Sequence, residues 1–164
     1  MYIYTIHPSA ACMYKIALLS LSLLFAASAS AQPDNMVYDK ALADSLGGDE
    51  YGMKLYTLVM LKTGSKKIED KKVVDSLFGG HMANVNRLAE NGKLVVAGPL
   101  KKNDRSYRGI FILNVKTDDE AKRLLDADPA ISSGMLDAEL YQWYGSSALP
   151  MYLPFHEKVE QKKH

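Results

Sequence analysis

HMANVNRLAENGKLVVAGP, residues 81–99, carries the end of one element, a stop and the whole of the next. His81, Val85 and Leu88 are spaced as one face of a helix. Asn91-Gly92 breaks that pattern, and a left-handed residue after a helix is most easily a glycine. Leu94–Ala97 is then an apolar run of strand length, closed by Gly98-Pro99. Working outward toward the N-terminus, Val74, Leu77 and Phe78 continue the helical spacing, which predicts a helix over residues 71–90. A polar connection, residues 62–70, separates it from LYTLVML at 55–61, a strand. Toward the C-terminus, the polar loop Lys101–Arg108 leads to GIFILNV at 109–115, a third strand. Thr117 caps the next helix, with Glu120 at the capping-box position, and that helix runs to about Ala127. Asp128-Pro129 opens a short further turn that ends at Gly134. AELYQWY at 138–144 is the fourth strand.

The order is β-α-β-β-α-β, a split arrangement that places two helices on one face of a four-stranded antiparallel sheet. The fold class is α+β, ferredoxin-like. Strands one, two and three are apolar at successive positions, so both faces of the sheet need cover. Two helices cover one face only. A symmetric homodimer is the commonest way to cover the other.

Outside this domain, set at residues 53–145, the chain has three further segments. Residues 16–27, IALLSLSLLFAA, follow Lys15 and precede Ala29-Ser30-Ala31. That succession is a signal peptide, residues 1–31, cleaved near Ala31, which makes the protein exported, periplasmic or secreted. The run is shorter than a membrane span, so the mature form has no membrane anchor. Met1 and Met13 are both usable starts. Residues 32–52 are a polar leader, partly helical around Tyr38–Leu46, and residues 146–164 are a C-terminal arm with a short helix.

Among the 164 residues, 20 are basic and 19 acidic. Loss of Lys15 with the signal leaves 19 against 19, which gives no electrostatic case for nucleic acid. Cys12 is the lone cysteine. It precedes the apolar run, where no lipoprotein cysteine sits, and it excludes a cysteine zinc site. His81, His156 and His164 do not fall at converging metal-ligand spacing. The chain has no nucleotide-binding glycine pattern and no G-x-S-x-G elbow. No metal and no cofactor are therefore expected.

His81-Met82-Ala83-Asn84, then Arg87–Leu94 and Ala97-Gly98-Pro99, resemble the helix-to-strand segment of the YCII-related family. So does Ala127-Asp128-Pro129 with Gly134 five residues on. The resemblance covers roughly residues 54–145, and the signal, leader and arm suggest an exported subgroup. It implies a dimeric α+β barrel with sheets packed face to face, and a cleft holding a histidine and an aspartate of catalytic use, here His81 and Asp128. One branch of the family resembles dehydrochlorinases of chlorinated hydroxyhydroquinones.

Each candidate has two readings. His81 lies at core spacing with Phe78, Val85 and Leu88, where a satisfied buried histidine is ordinary. Gly79-Gly80 before it costs helix stability and points to close packing or an opening beside the ring. Asp128 before Pro129 is a helix cap. In the family pattern its carboxylate orients His81, as aspartate does in hydrolytic triads. Gly98-Pro99 is a strand terminus or a wall of the cleft. Arg108, with Arg105 and Tyr107 nearby, is a solvated loop residue or a contact to an anionic or phenolic ligand. Tyr141, Trp143 and Tyr144 pack in the core or the dimer interface. Two functions follow. One is a cofactor-independent acid–base enzyme, isomerase or lyase of the dehydrochlorinase type, acting on a small cyclic or phenolic substrate. The other is a non-catalytic small-molecule binding or stress-related dimeric module.

Overall fold

A computed structural model of the chain describes residue 35 and residues 37–162, without the side chain of Glu157. The expected signal segment, residues 1–31, lies outside the described residues. The elements are α1 (Lys40–Leu46), β1 (Met53–Thr63), α2 (Lys71–Glu90), β2 (Leu94–Pro99), β3 (Tyr107–Leu113), α3 (Asp118–Asp126), α4 (Pro129–Ser132), β4 (Leu136–Ser146), a 3-10 turn (Leu149–Tyr152) and α5 (Leu153–Val159). From β1 to β4 this is the expected β-α-β-β-α-β order, with the short α4 added after α3. The strands form one antiparallel sheet in the order β2-β3-β1-β4.

Local chemistry sets the element ends. Asp70 caps α2 by accepting from the Lys72 backbone N–H, and Gly92, at φ 64°, turns the chain after it. Thr117 accepts from the Glu120 N–H at 3.3 Å. The Glu120 carboxylate turns to Lys93 Nζ, 2.9 Å away, so the reciprocal half of the expected capping box is replaced by an ion pair between α3 and the α2–β2 connection. β1 and β4 both extend two residues beyond the expected strands at each end. Their ladder runs from Met53↔Ser146 to Thr63↔Leu136, and backbone pairing carries it past the apolar residues.

Register assigns the faces. Val59 lies opposite Phe111 and Leu140, so Thr57, Val59, Leu61, Phe111, Leu113, Ala138 and Leu140 share the helix side. There Val59, Leu61, Phe111 and Leu113 join Leu88, Leu94, Val115, Ala121 and Leu125 in the core. Each such Val, Leu or Phe contributes about 1.5–3 kcal/mol by leaving water. The other side carries Leu58, Met60, Ile110, Ile112 and Val96, all half-buried, and the exposed Tyr141. Part of this face is polar: Lys62 Nζ pairs with Glu139 at 2.9 Å and Asp137 at 3.3 Å, and Tyr107 and Tyr141 donate to Glu139 Oε2.

The flanking segments are tied to the sheet. Asp49 accepts from the backbone of Tyr51 and Met53 and from the Tyr144 hydroxyl. That last bond lowers the Asp49 carboxyl and pushes the Tyr144 phenol up to about 12. The C-terminal arm returns from β4 to the opposite edge, where the Tyr152 hydroxyl donates to the Val95 carbonyl of β2. Among the described residues no helix is long and apolar enough to cross a membrane.

Candidate functional site

On α2, the side chains that are buried are His81, Asn84 and Leu88. Phe78, expected on the core face, is instead 56% exposed. The helical period of 3.6 rotates residue 78 away from the stripe through 81, 84 and 88. Gly80 faces α4: a Cβ there would lie 2.7 Å from Pro129 Cγ. Gly79 faces open space. Only the second glycine is thus required by packing, and its missing side chain lets α2 settle against the start of α4.

That contact brings residues 47 positions apart into register. His81 Nδ1 lies 2.8 Å from Asp128 Oδ2. Asp128 is fully buried, and its other oxygen, Oδ1, accepts from the Ala130 backbone N–H at 2.9 Å. The carboxylate is therefore a helix cap through one oxygen and a histidine partner through the other. Asn84 Nδ2 donates to the same Oδ2 at 3.2 Å, and Arg87 Nη2 donates to Asn84 Oδ1 at 2.7 Å. Burial pushes the Asp128 carboxyl upward. The bonds and charge from His81, with those from Asn84 and the Ala130 N–H, outweigh it and hold the group below the usual carboxylate range.

The imidazole is stacked on Phe111 of β3, ring centroids 5.9 Å apart at 20°, and Phe78 stands at 5.9 Å and 33°. Nδ1 is engaged by an ionised carboxylate, which favours the Nδ1–H tautomer and leaves the lone pair on Nε2. Among the described residues no group bonds to Nε2, and no buried side-chain nitrogen or oxygen lacks a partner. His81 is 7% exposed, and Nε2, with no bonded partner, is not sealed from solvent. An oriented base with an apolar surround and one open nitrogen can take and return a proton.

The other expected site residues are placed as follows. Pro99 lies opposite Gly109, on the Phe111 side of the sheet, with the exposed Ala97 between them and the ring. Gly98 lies opposite Ile110, on the other side, and its carbonyl would be 2.8 Å from a Cβ at Gly109. Arg108 occupies the irregularity where β1 and β3 shift register, and its Nε donates to Thr63 Oγ1 at 2.7 Å. That bond ties it to β1 and not to the His81–Asp128 pair. Asn84 and Phe111 were not singled out by the sequence. The signal for Asn84 was present: an amide three residues after His81 shares its helical face. Among the described residues no group of three or more His, Cys, Asp or Glu side chains is arranged to hold a metal ion.

The family model of the YCII-related domain matches residues 56–144, which contain every one of these side chains. The chain belongs to the YCII-related family. Among solved structures, this YCII-related chain is similar to 5-chloro-2-hydroxyhydroquinone dehydrochlorinase from Burkholderia phenoliruptrix AC1100, solved in complex with 2,5-dihydroxybenzoquinone. The identity is 20% and the TM-score 0.39, over 55% of this chain and 93% of that one. Among curated proteins none matches.

Proposed function

We propose that the protein is a cofactor-independent acid–base enzyme in which His81 is the catalytic base and acid and Asp128 its partner. The observation that carries this is the division of labour on the imidazole: Nδ1 held by Asp128 Oδ2 at 2.8 Å, Nε2 unbonded at the apolar rim. Nε2 takes a proton from a carbon or hydroxyl of the substrate, and the imidazolium formed is stabilised by the adjacent carboxylate. In a lyase of the dehydrochlorinase type, the electron pair left by that proton forms the new double bond, and chloride leaves with its bonding pair. In an isomerase, Nε2 returns the proton to another atom of the same substrate. Both need only a positioned proton carrier. Phe78, exposed beside the ring, suits a small cyclic or phenolic substrate, and the buried Phe111 backs the imidazole. Pro99, at the end of β2 on the Phe111 side of the sheet, is the expected wall residue placed on the His81 side; Gly98 faces the other side and Arg108 is bonded to Thr63, so neither is assigned a substrate contact. The active form is a homodimer covering the Leu58–Met60–Ile110–Ile112 face, and the protein is exported after cleavage near Ala31.

The test is turnover of a panel of halogenated and hydroxylated phenols and small cyclic ketones by the purified protein and by His81→Ala. Loss of general acid–base catalysis predicts a fall of about 100-fold or more with the fold retained. Binding without turnover, equal in both proteins, supports the non-catalytic module instead.

A further inference from the structure

His81, Asn84 and Arg87 follow one another at three-residue steps along α2, and only the first of them meets substrate in the proposed reaction. The other two form a bonded chain behind it: Arg87 Nη2 to Asn84 Oδ1 at 2.7 Å, then Asn84 Nδ2 to Asp128 Oδ2 at 3.2 Å. The guanidinium can only donate, so Asn84 must present its oxygen to Arg87. Its amide nitrogen is then forced toward Asp128. A flipped amide would set two donors against each other on one side and two acceptors on the other. Arg87 therefore fixes the one orientation of Asn84 that supports the carboxylate.

The oxygen that Asn84 reaches is Oδ2, the one that faces His81, and not Oδ1, which caps α4. A second donor on Oδ2 spreads its charge over two bonds. From these contacts we infer that Asn84, aligned by Arg87, is a positioning residue: it fixes the Asp128 carboxylate and weakens its grip on a proton at His81, so that the base can release what it takes. The inference rests on the reading of His81 as the proton carrier. Asp128 is the one charged group bonded or ion-paired to His81 among the described residues, Phe78 and Phe111 flank the ring, and Arg87 acts only through Asn84. An ordinary role for Arg87 also exists, since it lies in the last turn of α2 where a cation favours the helix dipole.

The experiment is a pH titration of the His81 ring followed by 15N-detected NMR on the whole mature protein, which needs no substrate. Four proteins are compared: wild type, Asn84→Leu, Arg87→Gln and the double variant. Asn84→Leu should raise the proton affinity of His81 roughly three- to tenfold, the scale of one lost charge-assisted hydrogen bond on an oxygen shared by two donors. Arg87→Gln, at an exposed position that leaves the core intact, should raise it by a smaller factor. The decisive comparison is the cycle. If Arg87 works through the Asn84 amide, its effect disappears in the Asn84→Leu background. An Arg87 effect of equal size in both backgrounds would mean a through-space charge and overturn the chain. An unchanged His81 titration in Arg87→Gln would also overturn it, whether or not Asn84→Leu folds. Absence of turnover with every substrate would sink the enzyme reading and leave this titration standing.

Discussion

Replacing Asp128 by Ala and by Asn separates its two duties, because the side chain spends one oxygen on each. In Asp128→Ala, α4 loses the bond to the Ala130 N–H, worth about 1 kcal/mol for a helix cap. The Asn84 amide and the His81 Nδ1–H lose their acceptor as well, at about 1–3 kcal/mol each for a buried group left unpaired. The sum is about 3–5 kcal/mol with partial relaxation, a large share of a domain's total stability of about 5–15 kcal/mol. In Asp128→Asn, the amide oxygen can still cap Ala130, so stability falls by about 1–2 kcal/mol. Its NH2 then faces His81 Nδ1 and turns that nitrogen into an acceptor. The ring is driven to the Nε2–H tautomer, with the open nitrogen carrying a hydrogen where the base lone pair should be. Turnover should drop about 100- to 10,000-fold, a loss typical of a misplaced general base. Urea unfolding measures the first quantity, and 15N shifts of the His81 ring with the rate measure the second. Equal destabilisation by both substitutions, or an unchanged tautomer in Asp128→Asn, would refute the division between the two oxygens.

Acid stability should report the same carboxyl. Its folded value is depressed, so its contribution is complete above the unfolded carboxylate value of about 4 and is lost as pH falls through the folded one. Urea midpoints below about pH 4 should therefore decline more steeply for the wild type than for Asp128→Asn. The paired glycines should respond oppositely to alanine. Gly79→Ala gains up to about 1 kcal/mol of helix propensity, while Gly80→Ala presses on Pro129 and costs about 1–3 kcal/mol, both read by thermal unfolding. Light scattering should give about twice the mature chain mass, and Ile112→Lys on the open face should yield monomer; a wild-type monomer at micromolar concentration would contradict the covered-sheet argument. N-terminal sequencing of secreted or periplasmic material should begin near Gln32, and a soluble pool that retains residues 16–27 would defeat the export proposal.

The fold was legible because burial writes itself into spacing. Helix 71–90 was predicted to the residue, from the apolar spacing that begins at Val74 and from Asn91-Gly92, a local stop that acts within one turn; the Asp70 cap that sets its start was not read. Strand ends were less legible, because Met53, Lys54, Asp137 and Ser146 pair through backbone groups that every residue carries. The contact between His81 and Asp128 could not be read from spacing at all. It depends on Gly80 meeting Pro129, a tertiary event between two helices, and only the family resemblance pointed to it. Phe78 shows the opposite failure: it sits three residues before His81, but the period of 3.6 carries it off the stripe through 81, 84 and 88, and the ring is left exposed. Asn84 was passed over because an amide on an apolar stripe reads as noise until its two partners are known.

β2 is an edge strand, paired to β3 alone. An unpaired edge is a template on which another extended chain can grow. Here it is blunted at both ends. Near its start the Val95 carbonyl is taken by Tyr152, and at its end Pro99 has no N–H to offer. The C-terminal arm thus works as a guard against strand addition. Proteolysis between Ser146 and Tyr152 would spare every side chain of the His81 cluster yet uncover the Val95 carbonyl. Clipped material should lose solubility before it loses its site, and storage of the purified protein will depend on the integrity of a tail that touches nothing catalytic.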